Sequence, residues 1–125
     1  MSKEVAVLGV GMHPWGKWGQ SFIGYGVKAA QDALKDAGLQ WQDVQLVAGG
    51  DTIRNGYPGF VAGATFAQAL GWSGAKVSSS YGACATGAQA IAVARANILA
   101  GLCDVALVIG ADAAPKGFFA PTGGH

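Results

Sequence analysis

Two thiols and two imidazoles carry the widest chemical range in this 125-residue sequence: Cys84, Cys103, His13 and His125. Cys84 stands in the run Ser78-Ser79-Ser80-Tyr81-Gly82-Ala83-Cys84-Ala85-Thr86-Gly87, which leads from a strand-like stretch through a glycine turn into a long alanine-rich segment. A cysteine at the head of such a helix meets free amide hydrogens and the positive end of the helix dipole, and both favour the thiolate. The small neighbours Ala83, Ala85 and Gly87 leave room for an incoming acyl group, so one reading is a nucleophile for covalent acyl transfer. The other is a small buried hydrophobe, and position alone weighs the two equally. Cys103 has apolar neighbours and no helix start behind it, which fits a buried structural thiol, and the adjacent Asp104 fits a strand-entry or turn carboxylate. The thiols form no CxxC pair and no Cys/His cluster, which argues against a disulfide framework and a structural zinc site; no metal is expected.

Other residues invite chemistry and fail on context. Gly9-Val10-Gly11 after an apolar run suggests a dinucleotide fingerprint, but the third glycine of that motif would fall at Pro14. Trp15, Trp18 and Phe22 fit a packed loop as well as a ligand platform. Asp51-Thr52-Ile53-Arg54-Asn55 has polar groups suited to a nucleotide, yet a solvated loop accounts for them.

The elements that would position Cys84 alternate in type. Residues 5–10 form a short apolar, β-branched run, the pattern of a first strand buried on both faces. Residues 11–19, with Pro14 and two tryptophans, read as a loop. From Ser21 onward Phe22, Gly26, Ala29, Ala30, Ala33 and Ala37 recur at helical spacing, and Gly38 supplies a left-handed stop. A second strand over residues 44–48 is ended by Gly49-Gly50, a loop covers residues 54–59, and a second helix covers residues 60–70. A third strand over 76–80, a helix over 84–100 and an apolar fourth strand over 104–111 complete the series, with a loop tail from Ala113. Strands alternating with helices predict an α/β fold: a mostly parallel open sheet with right-handed crossovers and helices on both faces.

Charged residues make up 12% of the chain and hydrophobic ones 51%, with 21 glycines, which is too little polar surface for a comfortable monomer. The net charge of +1 without any Lys/Arg run offers no footprint for nucleic acid. The longest apolar run falls far below the ~18 residues a membrane helix needs, and no signal-type start is evident, so the expected location is cytoplasmic. Arg95 is the only charged residue in the helix after Cys84, and alanines occupy all its faces. A helix apolar all round belongs in an interior, so a second domain or chain is expected to cover the side the sheet leaves open.

The stretch Tyr81-Gly82-Ala83-Cys84-Ala85-Thr86-Gly87-Ala88-Gln89-Ala90-Ile91, followed by Gly101-Leu102-Cys103-Asp104-Val105-Ala106-Leu107-Val108-Ile109-Gly110-Ala111, resembles the nucleophile region of the thiolase superfamily. It looks closest to the lipid-transfer-protein or sterol-carrier type. The opening Val7-Leu8-Gly9-Val10-Gly11-Met12 and the helix end Asp36-Ala37-Gly38-Leu39 are similar to the same type, so the resemblance spans essentially the whole chain.

The resemblance implies that Cys84 is the residue acylated by an acyl-CoA thioester, with coenzyme A entering as substrate and no separate cofactor. It implies the N-terminal part of a five-layered αβαβα fold, the helix after Cys84 lying in the middle layer, and a homodimer whose strands over residues 76–80 meet. A thiolase also needs a histidine in a Gly-His-Pro setting and a second cysteine in a Cys-x-Gly setting, which the family keeps in its C-terminal half. Residues 1–125 contain neither: His13 sits in Gly11-Met12-His13-Pro14 and His125 follows two glycines. The expectation is one thiolase-like N-terminal domain, without the C-terminal half, that acylates at most slowly and does not turn over alone. Two alternatives stand beside it: a lipid-transfer-type lyase that cleaves a β-hydroxyacyl-CoA by retro-aldol chemistry with a small partner protein, and a non-catalytic half serving dimerisation or partner binding.

Overall fold

The structure is a computed structural model that describes residues 4–52 and 56–114. Helix α1 spans Phe22–Ala37. The Ser21 side chain accepts the Gly24 N–H at 3.3 Å, and Gly38 (φ 70°) stops the helix while the Leu39 N–H returns to the Leu34 carbonyl at 3.0 Å. This is the left-handed cap the glycine predicts. Strand β1 (Leu46–Gly50) follows, then helices α2 (Tyr57–Phe60) and α3 (Ala62–Leu70), strand β2 (Lys76–Ser80), helix α4 (Thr86–Leu99) and strand β3 (Ala106–Gly110). The strands form a parallel sheet in the order β2-β1-β3, with Leu46 paired to both Lys76 and Ala106.

Side chains along each strand point to alternate faces, and the core divides accordingly. Val47, Leu107 and Ile109 meet Phe22 and Ala30 of α1 and Ala62, Phe66 and Ala67 of α3. Ala48, with Ala106 and Val108, meets Ala90 and Ala94 of α4 on the opposite face. The first layer holds the aromatic pair Phe22–Phe66, edge to face with centroids 5.8 Å apart. The second is built almost wholly from alanine, so α4 lies close to the sheet. Among the described residues one side of α4 is covered: Thr86, Ala90 and Ala94 are buried, whereas Ala88, Ile91, Ala92 and Ala96 are exposed. Among the described residues no helix is long and apolar enough to cross a membrane.

The open parallel sheet with helices on both faces agrees with the expected fold class, but its details correct several expected boundaries. The first correction concerns residues 5–10, which form no strand. They face the outer edge of β3 across a groove and form no ladder with it. They run beside α1 instead, the Val10 N–H donating to Asp36 Oδ2 at 2.9 Å, with Gly9 and Gly11 pressed so closely on the α1 backbone that a β-carbon would overlap it. An apolar groove of about 470 Å³ separates this segment from β3, and Val7, Leu8 and Val10 are exposed.

Gly49 and Gly50 continue β1 rather than ending it, because close packing requires them: a side chain on Gly49 would strike Gly63 of α3, and one on Gly50 would strike Thr86 of α4. The expected helix over residues 60–70 is broken at Val61 (φ −113°, ψ 41°), leaving α2 and α3. The last strand is shorter than residues 104–111. Its entry is fixed by a side chain, Gln45 Oε1 accepting the N–H groups of Asp104 at 2.6 Å and Val105 at 3.1 Å.

Candidate active site

Three features of the local sequence place Cys84. Strand β2 ends at Ser80, at the carboxyl edge of the sheet where open α/β folds hold their sites. Gly82 (φ −150°, ψ 40°) turns the chain, and Ala83 adopts φ 49°, making it the only non-glycine residue with positive φ among those described. An alanine held there costs about 1–3 kcal/mol and persists because its surroundings fix it. A single 3₁₀ turn, Ala83–Ala85, then feeds α4, which starts at Thr86 rather than at Cys84. Cys84 therefore stands just ahead of the α-helix, on its approach turn.

Thr86 is the residue that holds this turn. It is buried at 2% exposure; its Oγ1 accepts the Gly82 N–H at 3.0 Å and donates to the Ala83 carbonyl at 2.6 Å. Thr52, just beyond β1, donates its own Oγ1–H to the same carbonyl at 3.2 Å, and the Thr52 N–H is held by Asp112 Oδ1 at 2.7 Å. The Cys84 side chain is exposed, so a buried hydrophobe does not describe it. The Cys84 N–H has no acceptor among the described residues, whereas the next amide, Ala85, donates to the Gly82 carbonyl at 2.9 Å. Sequence reading assigned Thr86 no role and placed Thr52 in a solvated loop. Its only signal was a hydroxyl two places after the cysteine, the position from which a side chain can reach back across the turn.

Beside the turn a cavity of about 440 Å³ opens, lined by Gly50, Thr52, Thr86, Gly87, Asp112 and the loop bearing His13. Cys84 borders the turn but not this cavity. His13 packs edge-on between Trp18 and Tyr25, with centroids 5.7 and 4.7 Å away, and its Nδ1 lies 2.9 Å from the Pro14 carbonyl oxygen. Trp18 folds onto its own loop, Nε1 donating to the Pro14 carbonyl at 2.9 Å; Trp15 is exposed and Phe22 lies in the core. Cys103 is buried, in the connection before β3. Asp51 is buried rather than in a solvated loop; Ile53, Arg54, Asn55 and His125 lie outside the described residues.

The sequence pattern of the family "Beta-ketoacyl synthase, N-terminal domain" matches residues 20–118. The chain belongs to this family, within the thiolase superfamily. Over 123 residues, 96% of the chain, it is 30% identical to sterol carrier protein 2 from Gallus gallus, and over 113 residues it is 31% identical to benzoylsuccinyl-CoA thiolase subunit BbsB from Thauera aromatica. It spans 22% and 29% of those curated relatives. The fold is similar to 3-oxoacyl-[acyl-carrier-protein] synthase III from Aquifex aeolicus VF5 (TM-score 0.64, 25% identity), over 75% of this chain and 30% of that one. It is also similar to acetyl-CoA acetyltransferase from Syntrophomonas wolfei (TM-score 0.73, 22% identity), over 82% and 27%. Of the two cysteines, Cys84 is exposed and Cys103 is buried.

Proposed function

We propose that this chain supplies the acyl-accepting cysteine of a thiolase-type acyltransferase acting on an acyl-CoA. The observation that carries the reading is the placement of Cys84: exposed, on a tight turn at the carboxyl edge of a parallel sheet, ahead of a helix start, with its own N–H unpaired among the described residues. The Cys84 thiolate attacks the thioester carbonyl carbon, forming an S–C bond while the carbonyl π electrons move onto oxygen. The Cys84 N–H accommodates that oxyanion, much as the amide of a nucleophilic serine does in serine proteases. Collapse expels the coenzyme A thiolate, which takes its proton from solvent, and leaves an S-acyl cysteine for a second nucleophile to clear.

The relatives that carry an acyl-CoA or acetyl-CoA in their names support the substrate class. The uncovered side of α4 supports a covering domain or chain, and β2, an outer strand of the sheet with Val77 exposed, supports a homodimer joined at that edge. An unpaired edge strand is a ready template for another strand.

Incubation with acetyl-CoA near pH 7, followed by peptide mass spectrometry, tests the reading. Acetyl should appear on Cys84 and be absent from a Cys84→Ser variant that keeps the fold. Acetyl on Cys103 with Cys84 bare would contradict it.

A further inference from the structure

We propose that Thr86, assisted by Thr52, is a positioning residue for the Cys84 amide: the two hydroxyls lock the Ala83–Cys84 peptide so that its N–H faces the acyl group. The proposal rests on the reading of Cys84 as acyl acceptor and assigns that site a part beyond it.

The argument begins with one carbonyl. The Ala83 oxygen accepts from Thr86 Oγ1 at 2.6 Å, from Thr52 Oγ1 at 3.2 Å and from the Thr86 N–H. These donors come from the start of α4 and from the end of β1, so the carbonyl is pinned toward the protein from two elements. A trans peptide is planar and points its N–H opposite to its C=O. Pinning the Ala83 oxygen inward therefore aims the Cys84 N–H outward, on the side where the thiol is exposed.

Thr86 also accepts the Gly82 N–H at 3.0 Å, which closes the other end of the turn and keeps Ala83 at φ 49°. An alanine at that φ is free to relax toward negative values by rotating the peptides on either side of it, and such a rotation would carry the Cys84 N–H away. The Thr86 methyl occupies the space that a side chain on Gly50 would take, so the threonine sits directly against the end of β1. An oxyanion donor acts through being fixed before charge develops, and a rotated amide loses that advantage even when the thiolate is intact.

This separation supplies the test. Alkylation by iodoacetamide displaces iodide at a saturated carbon and forms no oxyanion; transfer from acetyl-CoA does form one. Both rates at Cys84 are measured by peptide mass spectrometry on the whole chain, with Cys103 labelling as the check on folding. In Thr86→Val the acetylation rate should fall by about tenfold or more, short of the ~10²–10³ for outright loss of such a donor, while alkylation stays within about twofold. Thr86→Ser should restore acetylation. Thr52→Val, which removes one hydroxyl at the rim, should show the same selectivity with a smaller loss and covers the case in which Thr86→Val exposes Cys103.

Equal loss of both reactions, or unchanged acetylation in both valine variants, would overturn the proposal while leaving Cys84 the acyl acceptor. Native Cys84 that alkylates but takes no acetyl would overturn the acyl-acceptor reading, and the positioning role with it.

Discussion

Gly50, the last residue of β1, lies against Thr86 so closely that a β-carbon on the glycine would overlap the threonine Cγ2. The end of the sheet thus presses directly on the residue that holds the Cys84 turn. The threonine could yield only by rotating its side chain, and rotation would release the Gly82 N–H and the Ala83 carbonyl. Gly50→Ala should therefore cost about 1–3 kcal/mol, the usual penalty for overfilling a packed site. Urea denaturation should show the loss as a lower midpoint with an unchanged slope, and acetylation of Cys84 should slow in the folded variant.

Two other glycines should respond with opposite signs. Gly63, in the first turn of α3, would drive a β-carbon into the Ser78 backbone carbonyl, and its N–H donates to Ser79 Oγ at 2.9 Å. Backbone cannot step aside as a side chain can, so Gly63→Ala should destabilise at least as much as Gly50→Ala. Gly87, in the first turn of α4, has open space where a β-carbon would go. Gly87→Ala should stabilise by up to about 1 kcal/mol, because alanine loses less backbone entropy in a helix. Thermal unfolding of the two variants checks both signs at once.

Gln45 ties the start of β3 to the start of β1 through one carbonyl oxygen that accepts two amides. Gln45→Ala leaves both N–H groups to find water and should cost about 1–2 kcal/mol. Hydrogen exchange should register it as faster exchange at Asp104 and Val105, with little change at Val47 in the sheet centre.

Sequence patterning reached the parallel architecture because apolar runs and helix stops are local signals: the Ser21 and Gly38 caps and the strands around Val47 and Leu107 lie where the residue types put them. Residues 5–10 carried an equally good strand pattern, yet a strand needs a ladder partner and composition does not say where that partner lies. Gly49-Gly50 looked like a stop because glycine usually marks turns; here its missing side chain is what admits α3 and α4. Around Cys84, the turn and the helix start were visible as local signals. The Thr86 and Thr52 clamp was not, since it works through hydroxyl contacts that no periodicity encodes, and Thr52 reaches Ala83 from 31 residues away.

The exposures of the two thiols make them reporters of different states. Under native conditions iodoacetamide should modify Cys84, which is exposed, and leave Cys103, which is buried. Raising urea through the transition should bring Cys103 labelling up with global unfolding.

The most direct measurement is the site and rate of acetyl uptake from acetyl-CoA by the folded chain, read by peptide mass spectrometry. Acetyl on Cys84, reversible by added coenzyme A and lost in Cys84→Ser, is the predicted result. A folded chain that acquires acetyl at Cys103 or nowhere would contradict the account.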